Sequence, residues 1–533
     1  MTTTGTPSFD RRRLLKSAVL AGAAVAAAPY SKTFSVITHA AGLKTLRAAM
    51  QTNPPTLDPH KTTASATQQI AVHVFEPLVA FAGDYSQIVP VLAESWDVSS
   101  DDRVYTFRIR KGVRFHNGQP LRAQDVAASL ERIVRQSAIK GYFESVDDIR
   151  VLDDYAVRIA LKAPDELLSI MAIPITWQAI MPKEIVEAAG ADELKIPNLI
   201  GTGPYMLAEW KPDVHVLLKK NPYYVPTGGA PSGFAGNKAA LLDEIRFSPM
   251  KEPGARMAAL QVGECQYAEN LPISARSTLQ QVQGIALHVV KPQWAPALEF
   301  NHVEAPTNAV KFRQAVLAAL DMEVIMRTVA MNDATFYRLQ PSRFYPEQKA
   351  WHSVAAQELY NQHDPAKAKR LLEEAGYDGS EIVFLSNRDY DWMYRATLAV
   401  VTQLSQVGIK VKLEFSDWPS QIGKALTRKG WHINQSGWSF SFDPIQLRAS
   451  LLSGASYGYG YSDPRMDQAL DAVMRHRPQA ERKKILDTIQ RLAYETVPNI
   501  RLGDLFGLEG TRTDVQGYEP WYVTPRFWNV QRG

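Results

Sequence analysis

Residues 364–415 read as helix, strand, helix, strand, and that order constrains the fold more than any other stretch of the chain. Asp364 is placed to N-cap a helix, Pro365 suits its first position, and Leu371, Leu372 and Ala375 give it an apolar face that Gly376 closes. Glu381–Leu385 predicts a strand, and Arg395–Gln406 a helix ended near Gly408. Ile409, Val411, Leu413 and Phe415 then alternate with Lys410, Lys412 and Glu414, the pattern of a second strand. Two strands joined through a helix predict a parallel pair with a right-handed crossover. The first half carries the same mixture. Tyr105, Phe107 and Ile109 alternate with Thr106, Arg108 and Arg110; Val126, Leu130 and Val134 recur at helical spacing; Tyr155, Val157, Ile159 and Leu161 alternate again. Lys111-Gly112 and Asn117-Gly118 mark turns, and the Pro/Gly/Tyr-rich stretch from Pro222 to Asn237 a surface loop. A chain of 533 residues exceeds what one core organises, since single cores stop growing near about 250–300 residues. Two α/β lobes are expected.

The formal charge of +4 suggests an acidic partner until the charges are located. Arg11, Arg12, Arg13, Lys16 and Lys32 stand against Asp10 alone in residues 1–40, so that segment carries the whole excess. The basic cluster precedes Ala18–Ala28, a run of Ala, Val, Leu and Gly too short to span a bilayer as a helix, which takes about 20 residues. A basic region, a short apolar region and small residues near Ala28 or Ala40 describe an export signal. Arg11-Arg12-Arg13-Leu14-Leu15-Lys16 is similar to a twin-arginine signal, although Asp10 stands where Ser or Thr is usual and Leu14 replaces Phe, leaving the general secretory route open. The one cysteine, Cys265, is in no lipidation motif and excludes an intrachain disulfide. Residues 41–533, formally neutral, lack the basic footprint of a nucleic-acid binder.

Catalytic patterns are missing. The chain has no Gly-x-Ser-x-Gly elbow, no phosphate loop and no His-Glu-x-x-His pair. Gly201-Thr202-Gly203-Pro204-Tyr205 lacks the third glycine of a dinucleotide loop, and Pro204 removes a backbone N–H that a phosphate cradle would use. Asp101-Asp102, Asp147-Asp148 and Asp153-Asp154 read as solvated loop acids rather than acid/base dyads. The 11 histidines are scattered; His352 and His363 share a segment but read as surface residues, and Cys265 as a packed thiol. No cofactor and no enzyme activity are expected.

Other segments carry a resemblance. Tyr105 to Gly118, then Pro120 to Val126, resembles the signature of family 5 extracellular solute-binding proteins, the dipeptide, oligopeptide and nickel receptors of ABC importers. Leu57-Asp58-Pro59, Phe75-Glu76-Pro77-Leu78, Leu92-Ala93-Glu94-Ser95-Trp96, Gly201 to Tyr205, Asn221-Pro222-Tyr223-Tyr224, Phe300-Asn301, Arg313-Gln314-Ala315 and Asp364-Pro365 follow in the family's order. The resemblance implies a two-lobed α/β periplasmic-binding-protein fold of type II with an extra subdomain and a hinge between lobes. Residues 1–40 would be the signal, 41–295 the first lobe with a subdomain at about 86–200, 296–502 the second lobe, and 503–533 a return to the first. The expected protein is a soluble periplasmic monomer, not lipid-anchored, that delivers a solute to a membrane permease. A receptor for a chelated metal, as in the nickel branch, and an exported enzyme with an unrecognised site remain alternatives.

Gly437-Trp438-Ser439-Phe440-Ser441-Phe442-Asp443-Pro444 is similar to the family's pocket segment. Peptide-binding members carry there, three places after the Trp, an Asp that pairs with the peptide's amino terminus; Ser441 holds that position here. A buried ammonium without a carboxylate costs several kcal/mol, so unless Asp443, Asp417 or Asp504 reaches in, the resemblance implies a modified peptide or a neutral or aromatic solute. Trp438 and Phe440 lead the candidates for ligand walls, followed by Trp294, Tyr337 and Trp418, with Phe442 beside them. Arg338 and Arg388 are candidates to clamp a carboxylate, and Thr62 and Ser65 follow the first family segment, where turn and cap chemistry is their other reading.

Overall fold

The computed structural model describes residues 43–533 apart from 175–176, 476–477 and 523. The export signal expected in residues 1–40 lies outside them. A 12-stranded mixed sheet runs through the molecule. From one edge its order is Val411–Phe415, Ile382–Ser386, Ile433–Ser439, Ile285–Phe300, Asp504–Arg512, Tyr267–Ala268, Thr45–Met50, Glu244–Pro249, His215–Lys220 and Tyr205–Lys211; Tyr337–Arg338 and Asn499–Arg501 pair off this path. The first three strands come from the second half of the chain and the last five from the first half. Ile285–Phe300 and Asp504–Arg512 join them, pairing antiparallel from Ile285–Arg512 to Trp294–Leu505 across a register shift.

The parallel pair is where the pattern puts it. Asp364 accepts from the Lys367 N–H at 2.8 Å and caps the helix Pro365–Glu374; Gly376 follows with φ +68°. Ile382–Ser386 lies parallel to Val411–Phe415. The intervening helix is Asp391–Gln406, beginning four residues before Arg395. Its first turn is stepped over by apolar periodicity because Asp391 and Tyr394 face outward there while Met393 turns inward.

A separate antiparallel sheet is formed by Ala93–Val98, Val104–Ile109, Ala156–Leu161 and Val146–Asp153. Tyr105, Phe107 and Ile109 are buried as their alternation predicts. The helix Ala123–Gln136 covers the sheet with Val126, Leu130 and Ile133; Ile133 takes the deep position and Val134 stays half-buried. Three of the paired acids are not in loops. Asp147, Asp148 and Asp153 lie in the strand Val146–Asp153, where Asp147 is exposed and Asp148 meets Arg150 at 2.6 Å and Arg158 at 3.8 Å. A polar strand face and a polar loop have the same composition, so alternation alone separates them.

Gly201 and Gly203 have a steric role. A Cβ at either would overlap the carbonyl of Val74 or His73, at the end of the helix Ser65–Val74. Between them Thr202 donates to the Glu76 carboxylate at 2.9 Å, and Lys238 pairs with the same carboxylate at 2.6 Å, all three fully buried. The stretch from Pro222 to Asn237 is less superficial than expected, because Phe234 is buried edge-on between Trp177 and Trp521. Cys265 is buried and unpaired, and burial pushes its thiol up to about 11.

Packing divides the chain unequally. The largest apolar core draws residues from Leu46 to Tyr267 together with Tyr518, Phe527, Trp528 and Val530 near the C-terminus. A second collects Leu298 to Ile433 with Val497, Ile500, Leu502 and Leu505. The segment after Ile433–Ser439 crosses over: Ile433 belongs to the second core, whereas Phe440, Phe442 and Ile445 belong to the first. Asp443 anchors the crossing. Its carboxylate pairs with Arg482 at 2.7 Å, accepts from the Ser169 hydroxyl at 3.0 Å, and caps the turn at Ile445. Breaking a buried pair strands the partner charge at about 3–5 kcal/mol. Asp443→Ala is therefore expected to lower the unfolding free energy from chemical denaturation by an amount in that range, and the midpoint with it. A further Arg482→Met in the same chain should recover part of the loss, and equal midpoints for wild type and D443A would contradict this account.

Candidate functional site

Strand alternation on Ile285–Phe300 decides which side chains meet. Its second half pairs antiparallel with Ile433–Ser439, Trp294 opposite Ser439 and Ala295 opposite Trp438. Successive side chains point to opposite faces. Ala295 and Ala297 accordingly line one hollow with Trp438 and Ser441, whereas Trp294 lines another with Tyr390 and Trp392. Of the expected ligand residues, Trp438 and Ser441 thus lie on one side of the strand ribbon and Trp294 on the other.

The first hollow, of about 40 Å³, lies where the chain passes from one core to the other. The Trp438 indole N–H donates to Glu299 Oε1 at 2.6 Å, and Asn499 Nδ2 donates to Glu299 Oε2 at 3.2 Å. Glu299 is 2% exposed, and burial pushes its carboxyl up to about 7. Phe440 lines neither hollow. It is sealed against Tyr85 at 4.5 Å and Phe442 at 4.6 Å, and stacks nearly parallel on Tyr345 at 5.2 Å. Tyr345 is the ring that faces the hollow, with Phe440 as its backing. Ser441 is on the wall, its carbonyl accepting from Gln348 Nε2 at 2.7 Å.

Two arginines, Arg343 and Arg501, line this hollow, and Arg338 joins Arg501 on Asp504. Arg501 donates to Asp504 Oδ1 at 2.6 Å and lies over the Tyr345 ring at 4.7 Å. Arg338 pairs with Asp504 Oδ2 at 2.7 Å and grips both oxygens of Glu347 at 2.8 and 2.9 Å, so its fork is divided between two protein carboxylates. Asp504 is fully buried between these two cations. Arg343 donates to Asn499 Oδ1 at 2.9 Å. Tyr337, beside Arg338, turns its hydroxyl to Glu323 at 2.5 Å.

The second hollow holds about 260 Å³ and reaches from Gln51, Asn270 and Leu271 to Asp389, Tyr390 and Trp392. Trp418 borders this region through Tyr390, which it meets edge-on at 5.7 Å. Arg388 is exposed over the Tyr394 and Phe415 rings at 5.0 and 5.3 Å and makes no ion pair among the described residues. Thr62 Oγ1 accepts from the Ala64 N–H at 3.0 Å, which is turn chemistry, and Ser65 is the first residue of the helix Ser65–Val74, which has no side-chain cap. A third hollow, of about 370 Å³, is lined by Arg110, Lys111, Tyr223 and Tyr224 and contains none of the expected residues.

Sequence reasoning missed Glu299, Arg343, Tyr345, Asn499 and Arg501. Glu299 had a signal: it shares the parity of Ala295 and Ala297 and immediately precedes Phe300-Asn301. Arg343 and Tyr345 come from an irregular segment, and Asn499 and Arg501 from the short strand Asn499–Arg501, which only the tertiary fold brings to this place. Among the described residues no group of three or more His, Cys, Asp or Glu side chains is placed to hold a metal ion.

Comparison with known proteins bears on this architecture. Residues 87–459 match the family described as bacterial extracellular solute-binding proteins, family 5 Middle. The chain is 28% identical to a protein named "Probable peptide ABC transporter periplasmic-binding protein y4tO" from Sinorhizobium fredii, over 98% of this chain and 100% of that one. It is 27% identical to the glutathione-binding protein GsiB of Pectobacterium atrosepticum, over 84% and 86%. Among solved structures, the substrate-binding protein CtaP of Listeria monocytogenes superposes with a TM-score of 0.79 at 23% identity, covering 92% of this chain and 99% of that one. The binding protein AgaA of A. tumefaciens R10, in complex with agropinic acid, gives 0.75 at 24% identity over 92% and 99%. These structures share the two-lobed periplasmic-binding-protein fold. The chain belongs to family 5 of the bacterial extracellular solute-binding proteins, and is the substrate-binding component of an ABC importer rather than an enzyme.

Proposed function

We propose that the protein is exported through its twin-arginine-like leader, works as a soluble monomer without a lipid anchor, and captures a peptide-like solute that does not present a free amino terminus. Residues 41–295 and 503–533 form one lobe in this reading, with the subdomain at about 86–200, and 296–502 the other. The solute is held where Trp438, Ser441 and Tyr345 meet. A hollow of about 40 Å³ admits one polar group, while sites for whole small molecules span about 300–1,000 Å³. Entry therefore requires the lobes to part, and closure is the solute's differential affinity for the closed state. Relatives named for peptides, for glutathione and for agropinic acid support a small organic solute with peptide-like polarity.

One observation carries the ligand argument: every carboxylate that might replace the missing anchor at Ser441 is already engaged. Asp443 is paired with Arg482, and Asp504 with Arg338 and Arg501. Asp417 caps the helix Trp418–Thr427, accepting from Ser420. Glu299 accepts from Trp438 and Asn499, and burial favours its neutral form. An ammonium brought to this wall meets no free carboxylate, and a peptide with a blocked amino terminus loses nothing there.

Three measurements check this reading. In calorimetry, N-acylated dipeptides are expected to bind more tightly than the same dipeptides with a free amino group; the opposite order overturns the ligand argument and leaves the fold untouched. Trp438→Ala should weaken binding of the tightest solute by about tenfold or more, as loss of a buried aromatic anchor does, whereas Trp294→Ala should change it by less than about threefold. The reverse ranking would move the solute to the other face of the ribbon. The third is pH dependence. Glu299 has its folded pKa raised from 4.5 to about 7, so the folded state holds a proton that the unfolded state releases. Stability from this group is undiminished below about pH 4.5, falls as pH rises toward 7, and is level above. Glu299→Gln should gain melting temperature relative to wild type between pH 4.5 and 8, and a pH-independent difference would refute the shifted carboxyl.

A further inference from the structure

We infer that the solute carries an anionic group, a carboxylate, which seats on the guanidinium of Arg343; this rests on the reading of the Trp438 hollow as the solute site. Arg343, Asn499 and Arg501 line both that hollow and a smaller one of about 20 Å³ behind it. Two of the neighbouring cations are matched within the protein. Arg501 and Arg338 divide Asp504 between them, and Arg338 also holds Glu347. Arg343 is not matched. Its side chain donates one hydrogen bond, to the neutral amide of Asn499 at 2.9 Å, and no carboxylate among the described residues comes within ion-pair distance. A guanidinium offers five N–H donors in a planar fork.

The charge balance points the same way. Arg338, Arg343 and Arg501 face the carboxylates of Asp504 and Glu347, while Glu299, the remaining acid nearby, has its carboxyl pushed up to about 7 by burial and is turned to Trp438 and Asn499. The surrounding phenols of Tyr345 and Tyr494 are pushed up by burial and stay protonated. One positive charge is left over, and it borders the hollow. Burial also lowers the pKa of Arg343, with the Tyr494 phenol and the Glu299 carboxyl acting the other way. A carboxylate delivered between Arg343 and the Trp438 wall forms a bidentate, charge-assisted pair. The available space suits it, because about 40 Å³ exceeds the roughly 10–15 Å³ that one water needs but falls well short of a whole solute. Ser441 in place of an acid fits the same chemistry: a carboxylate at that wall position would repel the anion.

The test uses the purified protein and a calorimetric panel of N-acetylated dipeptides, each as the free C-terminal acid and as the matched C-terminal amide. Acids are expected to bind wild type about tenfold or more tightly than their amides. Arg343→Gln should reduce that ratio to about threefold or less with unchanged circular dichroism, while Arg343→Lys, which keeps the charge but loses the fork, should fall between. Amides that bind wild type as well as acids, or an acid preference that survives in R343Q, would overturn the inference and leave the solute site standing. If neither acids nor amides bind wild type, the reading of the hollow as a peptide-like solute site fails, and this inference with it. Should R343Q not fold, the wild-type ratio and R343K decide.

Discussion

A single carboxylate, Asp504, organises the middle of the molecule. It is fully buried, and its two oxygens receive Arg501 and Arg338. From there the connections pass outward: Arg501 lies over Tyr345, Tyr345 stacks on Phe440, and Phe440 is embedded in the aromatic cluster of the first core. Removing one partner from a buried ion pair costs about 3–5 kcal/mol because the survivor is stranded. Here Arg501 would be stranded, while Arg338 keeps Glu347, and the Tyr345 ring that forms a wall of the hollow lies directly under that stranded cation. The chemistry of the site is thus inseparable from the interaction that holds its two sides together.

The second constraint is the period-two alternation of the long strand. Trp294 and Ala295 are adjacent in sequence yet belong to different hollows, because one faces Leu505 and the 389–392 segment while the other pairs with Trp438. A one-residue slip in this register would exchange the two faces. The site is therefore specified by pairing, and aromatic content alone says little about it.

The fold was legible wherever one physical rule governs a whole segment. Asp364 with Pro365 and Gly376 bounded a helix, and the Tyr105–Ile109 alternation marked a strand, since caps and burial parity act through nearest neighbours. The acids at 147–148 misled because a solvated strand face and a loop are chemically alike. Phe234 was hidden for the opposite reason: turn-forming neighbours masked a ring that the tertiary fold buries. At the proposed site, Trp438 and Ser441 come from the family segment, while Glu299 was missed although it shares the parity of Ala295 and Ala297. Arg343, Asn499 and Arg501 left no such signal. Their partners lie in other segments of the chain, and no local pattern records a long-range hydrogen bond between side chains.

The lone cysteine also says something about life outside the cytoplasm. Thiol–disulfide exchange proceeds through the thiolate and needs access to it. Cys265 is buried, and with its thiol pushed up to about 11 it is almost wholly protonated near neutral pH. An extracytoplasmic receptor keeps company with oxidising enzymes and with other thiols. Burial and the raised thiol both disfavour exchange at this sulfur in the folded chain, and so disfavour tethering of two copies or capture in a mixed disulfide. Redox insulation is achieved by packing alone.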